Sequence, residues 1–240
     1  MNTININGGR FYVVDETNKI FLPSVTTILG HSSDKKALND WISRVGAEEA
    51  DRVSTFSANR GTYMHALHEH YLDYRYVYKD SKPLQKAFIK AKEDCAHLTP
   101  EEIECGKNLF LQFQGTDFYD RIESIMFQEE PLWSFIGGGY AGRMDLSIWG
   151  KPKSPRVIDF KTSKKPKRDE WITGYKKQTS AYSVALHERH GIFPESCEIW
   201  ISCETGEVQM FEMRREEIKH WFSEFHKDLV SYHNNFKKTL

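Results

Sequence analysis

Alternating apolar and polar positions over residues 142–149 and 156–163 predict two β-strands joined by a short turn. Successive side chains of a strand point to opposite faces. Pairing of these two strands would therefore place Asp145 and Asp159 on neighbouring strands, with Lys161 on the same face as Asp159. The pattern predicts that two carboxylates and one ammonium group converge at this point of the chain.

The apolar periodicity elsewhere predicts a hairpin, then helices, then strands that alternate with helices. The first predicted elements are a hairpin over 10–14 and 19–22, a helix from the Ser24 N-cap to Gly30, and a helix capped by Ser33-Asp34 that carries Leu38 to Val45. Further helices are predicted over 47–56, over 62–72, over 81–97, where the pattern is amphipathic, and from the capping box Thr99–Glu102 to about Phe113. The second half is predicted to contain a strand over 122–135, a helix over 169–189, a hairpin over 197–213 and a last helix over 216–236. The glycine run 137–142 predicts either a tight turn or backbone that lies against a ligand.

Three histidines, at positions 65, 68 and 70, lie on the predicted helix over 62–72. The buried stripe of this helix consists of Met64, Leu67 or His68, Tyr71 and Tyr74. His65 and Glu69 share the next face. The spacing differs from the His-Glu-x-x-His of zinc peptidases, so a zinc hydrolase that uses residues 65–70 is only a distant alternative.

The composition is that of a folded globular protein, with 39% apolar and 28% charged residues in 240 positions. No apolar run reaches the length of a membrane span and no signal peptide is evident, which predicts no membrane association and an intracellular location. Cysteines 95, 105, 197 and 203 form no Cys-x-x-Cys pair and are expected to be free thiols.

The Asp159-x-Lys161 tripeptide has two interpretations. It can be the charged edge of a solvated strand, or it can be catalytic. Val157, Ile158 and Phe160 surround the aspartate with apolar side chains, and an unpaired charge in such surroundings is costly. Carboxylates of this kind hold Mg²⁺ or Mn²⁺, and a neighbouring lysine can orient a water and stabilise charge on a phosphate. The grouping therefore favours a metal-dependent phosphodiesterase.

The net charge of −1 gives no global argument for nucleic acid, so a DNA contact must come from a local patch. The basic run 164–168 is one candidate, and it is either an exposed loop or a phosphate-binding segment. Tyr175, Gln178 and Tyr182 form one stripe on the predicted helix over 169–189. That stripe is either the rim of the core or a surface that stacks on bases and orders a phosphate.

Four segments, in this order, resemble the RecB-type branch of the PD-(D/E)XK nuclease superfamily. They are Arg60-Gly61-x-x-x-His65, Gly142-Arg143-x-Asp145, Ile158-Asp159-Phe160-Lys161-Thr162 and Tyr175-x-x-Gln178-x-x-x-Tyr182. Within that branch, the segment Leu22–Leu29 and the Trp41 helix are similar to mitochondrial genome maintenance exonucleases and their phage-encoded relatives. The resemblance implies an α/β restriction-endonuclease-like core, in which helices flank a central mixed β-sheet. It further implies one nuclease domain over 1–240, with a helical elaboration over 33–115, a catalytic sheet over 120–213 and a C-terminal helix over 214–240.

The resemblance also implies roles for individual residues. Metal ligands would be His65, Asp145, Asp159, the backbone carbonyl of Phe160 and, less firmly, Glu129, for which Glu130 is an alternative. Lys161 would activate the attacking water, while Gln178 and Tyr182 would order the site and the scissile phosphate. The implied DNA contacts are Ser24, Arg60, Arg143, Thr162, Ser163, Lys164, Lys165 and Tyr175.

The activity expected from these residues is hydrolysis of DNA phosphodiester bonds with one or two Mg²⁺ or Mn²⁺ ions. The substrate would be single-stranded DNA or DNA ends, in replication, recombination or repair, in the cytoplasm of a bacterium or a phage-infected host cell. The helical region 33–105 would cover the groove. Some relatives carry an iron–sulfur cluster, but no cysteine precedes His65 or follows Cys203, so no cluster is expected. A structure-specific or restriction-type endonuclease and a catalytically silent DNA-binding relative remain alternatives.

Overall fold

The computed structural model describes residues 1–33 and 35–236, which form two β-sheets and seven α-helices. The strands are β1 (Thr3–Ile6), β2 (Gly9–Asp15), β3 (Ile20–Pro23), β4 (Ile122–Ser134), β5 (Tyr140–Gly150), β6 (Ser154–Ser163), β7 (Ser196–Cys203) and β8 (Val208–Arg214). The helices are α1 (Val25–Ser32), α2 (Lys36–Val45), α3 (Ala47–Leu72), α4 (Pro83–Asp94), α5 (Pro100–Gln114), α6 (Thr173–His190) and α7 (Arg215–Phe236). Within these described ranges, no helix combines the length and the hydropathy that a bilayer-crossing segment requires.

The larger sheet has the strand order β4-β5-β6-β7-β8, in which β6 and β7 are parallel and the other pairs are antiparallel. The predicted hairpin over 142–163 is therefore confirmed as β5 and β6. Their pairing runs from Gly150 opposite Ser154 to Leu146 opposite Ile158. Asp145 and Asp159 occupy the next position outward, where regular pairing ends.

Helices cover both faces of this sheet. On one face, α3, α4 and α5 pack on apolar side chains that include Leu146, Ile158 and Trp200. On the other face, α1, α6 and α7 pack on a cluster that includes Val157 and Ile199. The expected α/β architecture, a mixed central sheet flanked by helices, is confirmed.

Helix α3 corrects one expectation, because it runs without a break through Arg60 and Gly61 instead of forming two helices. The cause lies in α5. A Cβ atom on Gly106 would lie 2.5 Å from the Arg60 carbonyl oxygen and 3.0 Å from the Tyr63 Cβ, so the two helices are in close contact at this point. Packing against a neighbouring helix outweighs the weak helix propensity of one glycine.

The N-termini of α1 and α5 have the predicted caps. The Ser24 side chain accepts a hydrogen bond from the Thr27 amide, and Thr99 and Glu102 form the predicted capping box. Helix α1 extends past Gly30 to Ser32. Half of the predicted Ser33-Asp34 cap, Asp34, lies outside the described residues.

The smaller sheet, in the order β1-β2-β3, confirms the predicted N-terminal hairpin and adds a strand that was not predicted. Ser24, directly after β3, forms an isolated parallel bridge to Ala141 of β5 and so attaches this sheet to the larger one. Gly137, Gly138 and Gly139 all have positive φ angles, so the glycine run contains a tight turn, which packs against α7. The four cysteines are free thiols, as predicted.

Candidate active site

A cavity of about 770 Å³ opens where β5 and β6 diverge. Helix α3 forms one wall, through residues 57–69, and the N-terminal sheet contributes to another through Thr3, Arg10 and Tyr12. We call this the catalytic cavity. Residues from five parts of the chain reach it, so the fold rather than any local segment creates the site.

Asp145 lines this cavity, and Asp159, on the neighbouring strand β6, is buried beside it. The Phe160 backbone amide donates a hydrogen bond of 2.8 Å to Oδ2 of Asp145. Asp159 is only 1% exposed, and neither of its carboxylate oxygens accepts a hydrogen bond of normal geometry, although the Lys161 ammonium lies against Oδ2. Asp159 is thus a buried carboxylate with unused ligand positions.

His65 reaches the two aspartates from α3. Its Nδ1 lies 3.6 Å from Oδ2 of Asp145, and its ring stands edge-on to Phe160. Burial, together with the nearby Lys161 charge, lowers the pKa of His65 to about 4. The imidazole is therefore neutral at physiological pH, the form in which it binds metal ions.

Glu129, and not Glu130, faces the cavity. One ligand atom each from His65, Glu129 and Asp145 lie within 4.8 Å of one another. Glu130 instead contacts His190 at 3.1 Å. Glu129 has a φ angle of +46°, which is rare for a residue other than glycine and costs backbone strain.

The electrostatics of the cluster follow from its burial. Burial raises the pKa of Asp159 to about 6, although Lys161 acts in the opposite direction, and burial also raises the pKa of Asp145. Burial together with Asp145 and Glu69 raises the pKa of Glu129 to about 8. Burial alone would lower the pKa of Lys161, but Asp159 and Asp145 outweigh it and raise that pKa. The four acids and bases are thus held close together at a cost in desolvation.

The residues present fit a divalent cation. Three side chains offer oxygen or imidazole ligands within reach of one another. The buried Asp159 carboxylate accepts no hydrogen bond of normal geometry, so its oxygens are free to bind a cation. Hard cations such as Mg²⁺ and Mn²⁺ prefer this donor set. A zinc site built from the three neighbouring histidines does not form. His68 is buried against the ring of Phe160, at 3.7 Å between centroids, and His70 pairs with Asp94 at 2.7 Å.

Helix α6 supplies the stripe of Tyr175, Gln178 and Tyr182, and all three side chains line the catalytic cavity. Gln178 Nε2 donates to the Tyr182 hydroxyl at 3.2 Å. A Cβ atom on Gly142 would collide with the Tyr182 ring, so the glycine before Arg143 allows this ring to pack against β5. The Lys161 ammonium lies 5.3 Å from the centre of the Tyr175 ring, within cation–π range.

A family model of the PD-(D/E)XK nuclease superfamily matches residues 41–237, a segment that contains every residue of this cluster. The chain belongs to the PD-(D/E)XK nuclease superfamily. Nucleases of this superfamily generally use divalent metal ions, which agrees with the donor set of the cluster.

Two solved structures resemble this chain, with low sequence identity. One is a candidate exonuclease from Eubacterium rectale, with a TM-score of 0.44 and 11% identity over 61% of this chain and 60% of that one. The other is the protein SSO0001, with a TM-score of 0.35 and 15% identity over 72% of this chain and 74% of that one. This chain thus spans about 60% of the length of the Eubacterium rectale protein. No curated protein matches the chain.

The DNA contacts expected of this PD-(D/E)XK chain divide into three groups. Arg143, Thr162 and Tyr175 line the catalytic cavity. Ser163 and Lys164 line an adjacent cavity of about 510 Å³, which shares Ser57 and Thr162 with the first. Lys165 is exposed beside Lys164.

Ser24 and Arg60 form the third group; Arg60 lines the adjacent cavity, both side chains are almost fully buried, and a DNA contact by either stays a prediction. Ser24 is 1% exposed, and its hydroxyl is used in the N-cap of α1. Arg60 is 5% exposed and forms an ion pair with Glu204. The Ser24 hydroxyl is held by the N-cap of α1 and the Arg60 guanidinium by Glu204, while the buried Arg60 Nε has no hydrogen-bond partner among the described residues.

Several cavity residues were not predicted as site residues. Thr3, Arg10, Tyr12 and Thr26 come from the N-terminal segment. No local motif marks them, since their position depends on contacts between sheets that are far apart in sequence. Only Arg10, the one basic residue of β2, offered a signal.

Proposed function

We propose that this PD-(D/E)XK protein is a metal-dependent DNA exonuclease that acts on single strands or DNA ends. The observation that carries the proposal is that His65, Glu129, Asp145 and Lys161 line one cavity, while the Asp159 carboxylate is buried against Lys161 and lacks hydrogen bonds of normal geometry. Such groups are costly to bury and are typical of functional sites.

The cation would be held by His65, Glu129, Asp145, Asp159 and the backbone carbonyl of Phe160. When bound, one or two Mg²⁺ or Mn²⁺ ions would supply Lewis-acid activation of the phosphodiester and of the attacking water. The neutral His65 ring and the raised pKa of Glu129 mean that the protein itself brings limited net charge to this position before the ion binds.

The chain's own groups would align the reaction. The Lys161 ammonium, fixed against Asp159, would orient the attacking water and stabilise negative charge on the phosphate. Gln178 and Tyr182, joined by a hydrogen bond, would hold the scissile phosphate, and Arg143 would add positive charge at the mouth of the cavity. The Tyr175 ring would stack on a base.

The dimensions of the catalytic cavity support a single strand as the substrate. Its volume of about 770 Å³ lies in the range of small-molecule pockets, about 300–1,000 Å³, which suits a few unpaired nucleotides better than a duplex. Helix α3 and the N-terminal sheet would limit access from two sides. The RecB-type branch, the relationship to mitochondrial genome maintenance and phage exonucleases, a role in replication, recombination or repair, and the cellular location stay predictions.

The proposal is tested with end-labelled linear and circular DNA, single- and double-stranded, in Mg²⁺, Mn²⁺ or EDTA. We expect linear single strands to be degraded in either metal and to survive in EDTA. Lys161→Ala should abolish degradation and keep the far-UV circular dichroism spectrum. Lys92→Ala, an exposed lysine on α4, is the matched control and should retain activity.

Three outcomes would change the proposal. Equal cutting of circular and linear single strands would replace the exonuclease with an endonuclease. Binding of DNA without cleavage in any metal would indicate a catalytically silent relative. Full activity of Lys161→Ala would contradict the assigned role of this lysine.

A further inference from the structure

A second cavity, of about 790 Å³, lies next to the catalytic cavity and is not used by the proposed reaction. It is bounded by the β1–β2 turn, by α1 and by the end of α7, and we call it the N-terminal cavity. Arg10 and Thr26 line both cavities. The two spaces therefore meet at these two side chains.

The N-terminal cavity carries positive charge. Arg10 and Lys35 line it, together with His31, and no carboxylate of the described residues does so. The Arg10 guanidinium donates to the Thr26 hydroxyl at 3.1 Å and lies over the Tyr12 ring. Among residues 1–33 and 35–236, neither Arg10 nor Lys35 forms an ion pair with a carboxylate. Both cations are therefore available to an anion that enters the cavity.

Gly30 offers a position from which the N-terminal cavity can be filled. It lies inside α1, where glycine is less favourable than alanine, and a Cβ atom at this position would meet no heavy atom within 4 Å. Neither packing nor a positive φ angle explains the glycine. Gly30 is exposed and lines the N-terminal cavity, so a large side chain at this position would enter that space.

We propose that the N-terminal cavity binds the sugar–phosphate backbone of the same DNA strand whose scissile bond lies in the catalytic cavity. The inference rests on the proposed function and adds the path of the substrate. The strand would pass over Arg10 and Thr26, and its next phosphates would lie near Lys35 and His31. Hydroxyl groups, amide groups and the charged side chains of lysine and arginine are the usual partners of nucleic-acid phosphates.

The proposal is tested by measuring binding in EDTA, so that hydrolysis does not contribute. The probes are fluorescent oligothymidylates, a trinucleotide that fits one cavity and a dodecamer that spans both. Lys35→Glu reverses a lining charge, and Gly30→Phe fills the space from a position with room for a side chain. The matched controls are Lys92→Glu on α4 and Gly174→Phe in α6, another helical glycine with no neighbour within 4 Å.

We expect Lys35→Glu and Gly30→Phe to weaken dodecamer binding by about tenfold, with a smaller salt dependence for Lys35→Glu, because a phosphate contact is lost. Trinucleotide affinity should fall much less, because a trinucleotide can still occupy the catalytic cavity, and both control variants should bind as the wild type does. Equal dodecamer affinity for the wild type and both variants would overturn the proposal, as would an equal loss for both probes. If the wild type degrades DNA and both variants bind the dodecamer normally, the subsite proposal is wrong and the exonuclease proposal stands. If the wild type binds the dodecamer as expected but never cleaves DNA, the subsite proposal stands and the exonuclease proposal is wrong.

Discussion

Glu129 combines two costs at one residue, a positive φ angle in a strand and a half-buried carboxyl group beside Asp145. Its folded-state pKa of about 8 lies above the ordinary value of 4.5. Between these two pH values the folded protein therefore holds a proton that the unfolded chain releases. Below pH 4.5 the carboxyl group is protonated in both states and stability is highest. As the pH rises from 4.5 to 8 this stability is lost, because the unfolded chain ionises first. Such a residue is explained by a ligand better than by packing.

Glu129→Gln should stabilise the metal-free protein at pH 8 by about 1–3 kcal/mol and have little effect at pH 5, because the amide never ionises. The measurement is urea unfolding in EDTA at the two pH values. Glu130→Gln, the neighbouring carboxyl group that pairs with His190, is the control and should change stability by less than about 0.5 kcal/mol. An identical effect of Glu129→Gln at both pH values would refute the argument.

His65 should bind the cation as a neutral ligand. His65→Ala is expected to weaken Mn²⁺ binding by about tenfold to a hundredfold, as measured by calorimetry at pH 7.5. His70→Ala removes a histidine of the same helix that pairs with Asp94 outside the cluster, and it should bind Mn²⁺ normally. Equal losses in both variants would instead favour a site shared by the histidines of α3.

At the scale of elements, the sequence predicted the part of the site that depends on local patterns. The β5–β6 hairpin follows from the alternating character of its two strands, and it places Asp145 and Asp159 side by side in the register found. The stripe of Tyr175, Gln178 and Tyr182 follows from helical spacing, and the structure brings it to the same cavity.

The remainder of the site depends on contacts that no local pattern contains. The continuity of α3 is decided by Gly106 on another helix, and the walls contributed by Arg10 and Tyr12 are decided by the attachment of the N-terminal sheet at Ala141. The same limit explains Ser24 and Arg60. Their residue types suit phosphate binding, but neighbours distant in sequence bury them.

The contact of α3 with α5 at Gly106 can be tested directly. Gly106→Ala should destabilise the protein by about 1–3 kcal/mol, since the added methyl group must displace the backbone at Arg60. Because His65 lies just over one turn further along α3, Mn²⁺ binding should weaken as well. Gly174→Ala, in open space in α6, should be neutral or stabilise by about 0.5 kcal/mol. Both variants are compared by urea unfolding, and equal stability of the two would contradict the close contact.

At the scale of the whole molecule, 33 basic and 34 acidic residues nearly cancel, so attraction to DNA depends on where the charges lie. The basic run 164–168 follows β6 at the end that carries Asp159 and Lys161, and Lys164 lines the cavity adjacent to the catalytic one. Lys151 and Lys153 lie in the turn before β6. The strand has ten residues, which places these two groups of lysines about 30 Å apart.

This arrangement predicts that lysines of equal exposure contribute unequally to DNA binding. Replacing Lys164 and Lys165 with serine should weaken binding of a single-stranded oligonucleotide and lower the slope of log affinity against log salt by about 1.4, if each lysine contacts one phosphate. Replacing Lys151 and Lys153 with serine changes the net charge by the same amount and should leave both the affinity and the slope nearly unchanged. Fluorescence anisotropy in EDTA over a series of salt concentrations measures both quantities. Equal slopes for the two double variants would mean that the protein attracts DNA through its overall field, and the strand would then have no preferred path beside the catalytic cavity.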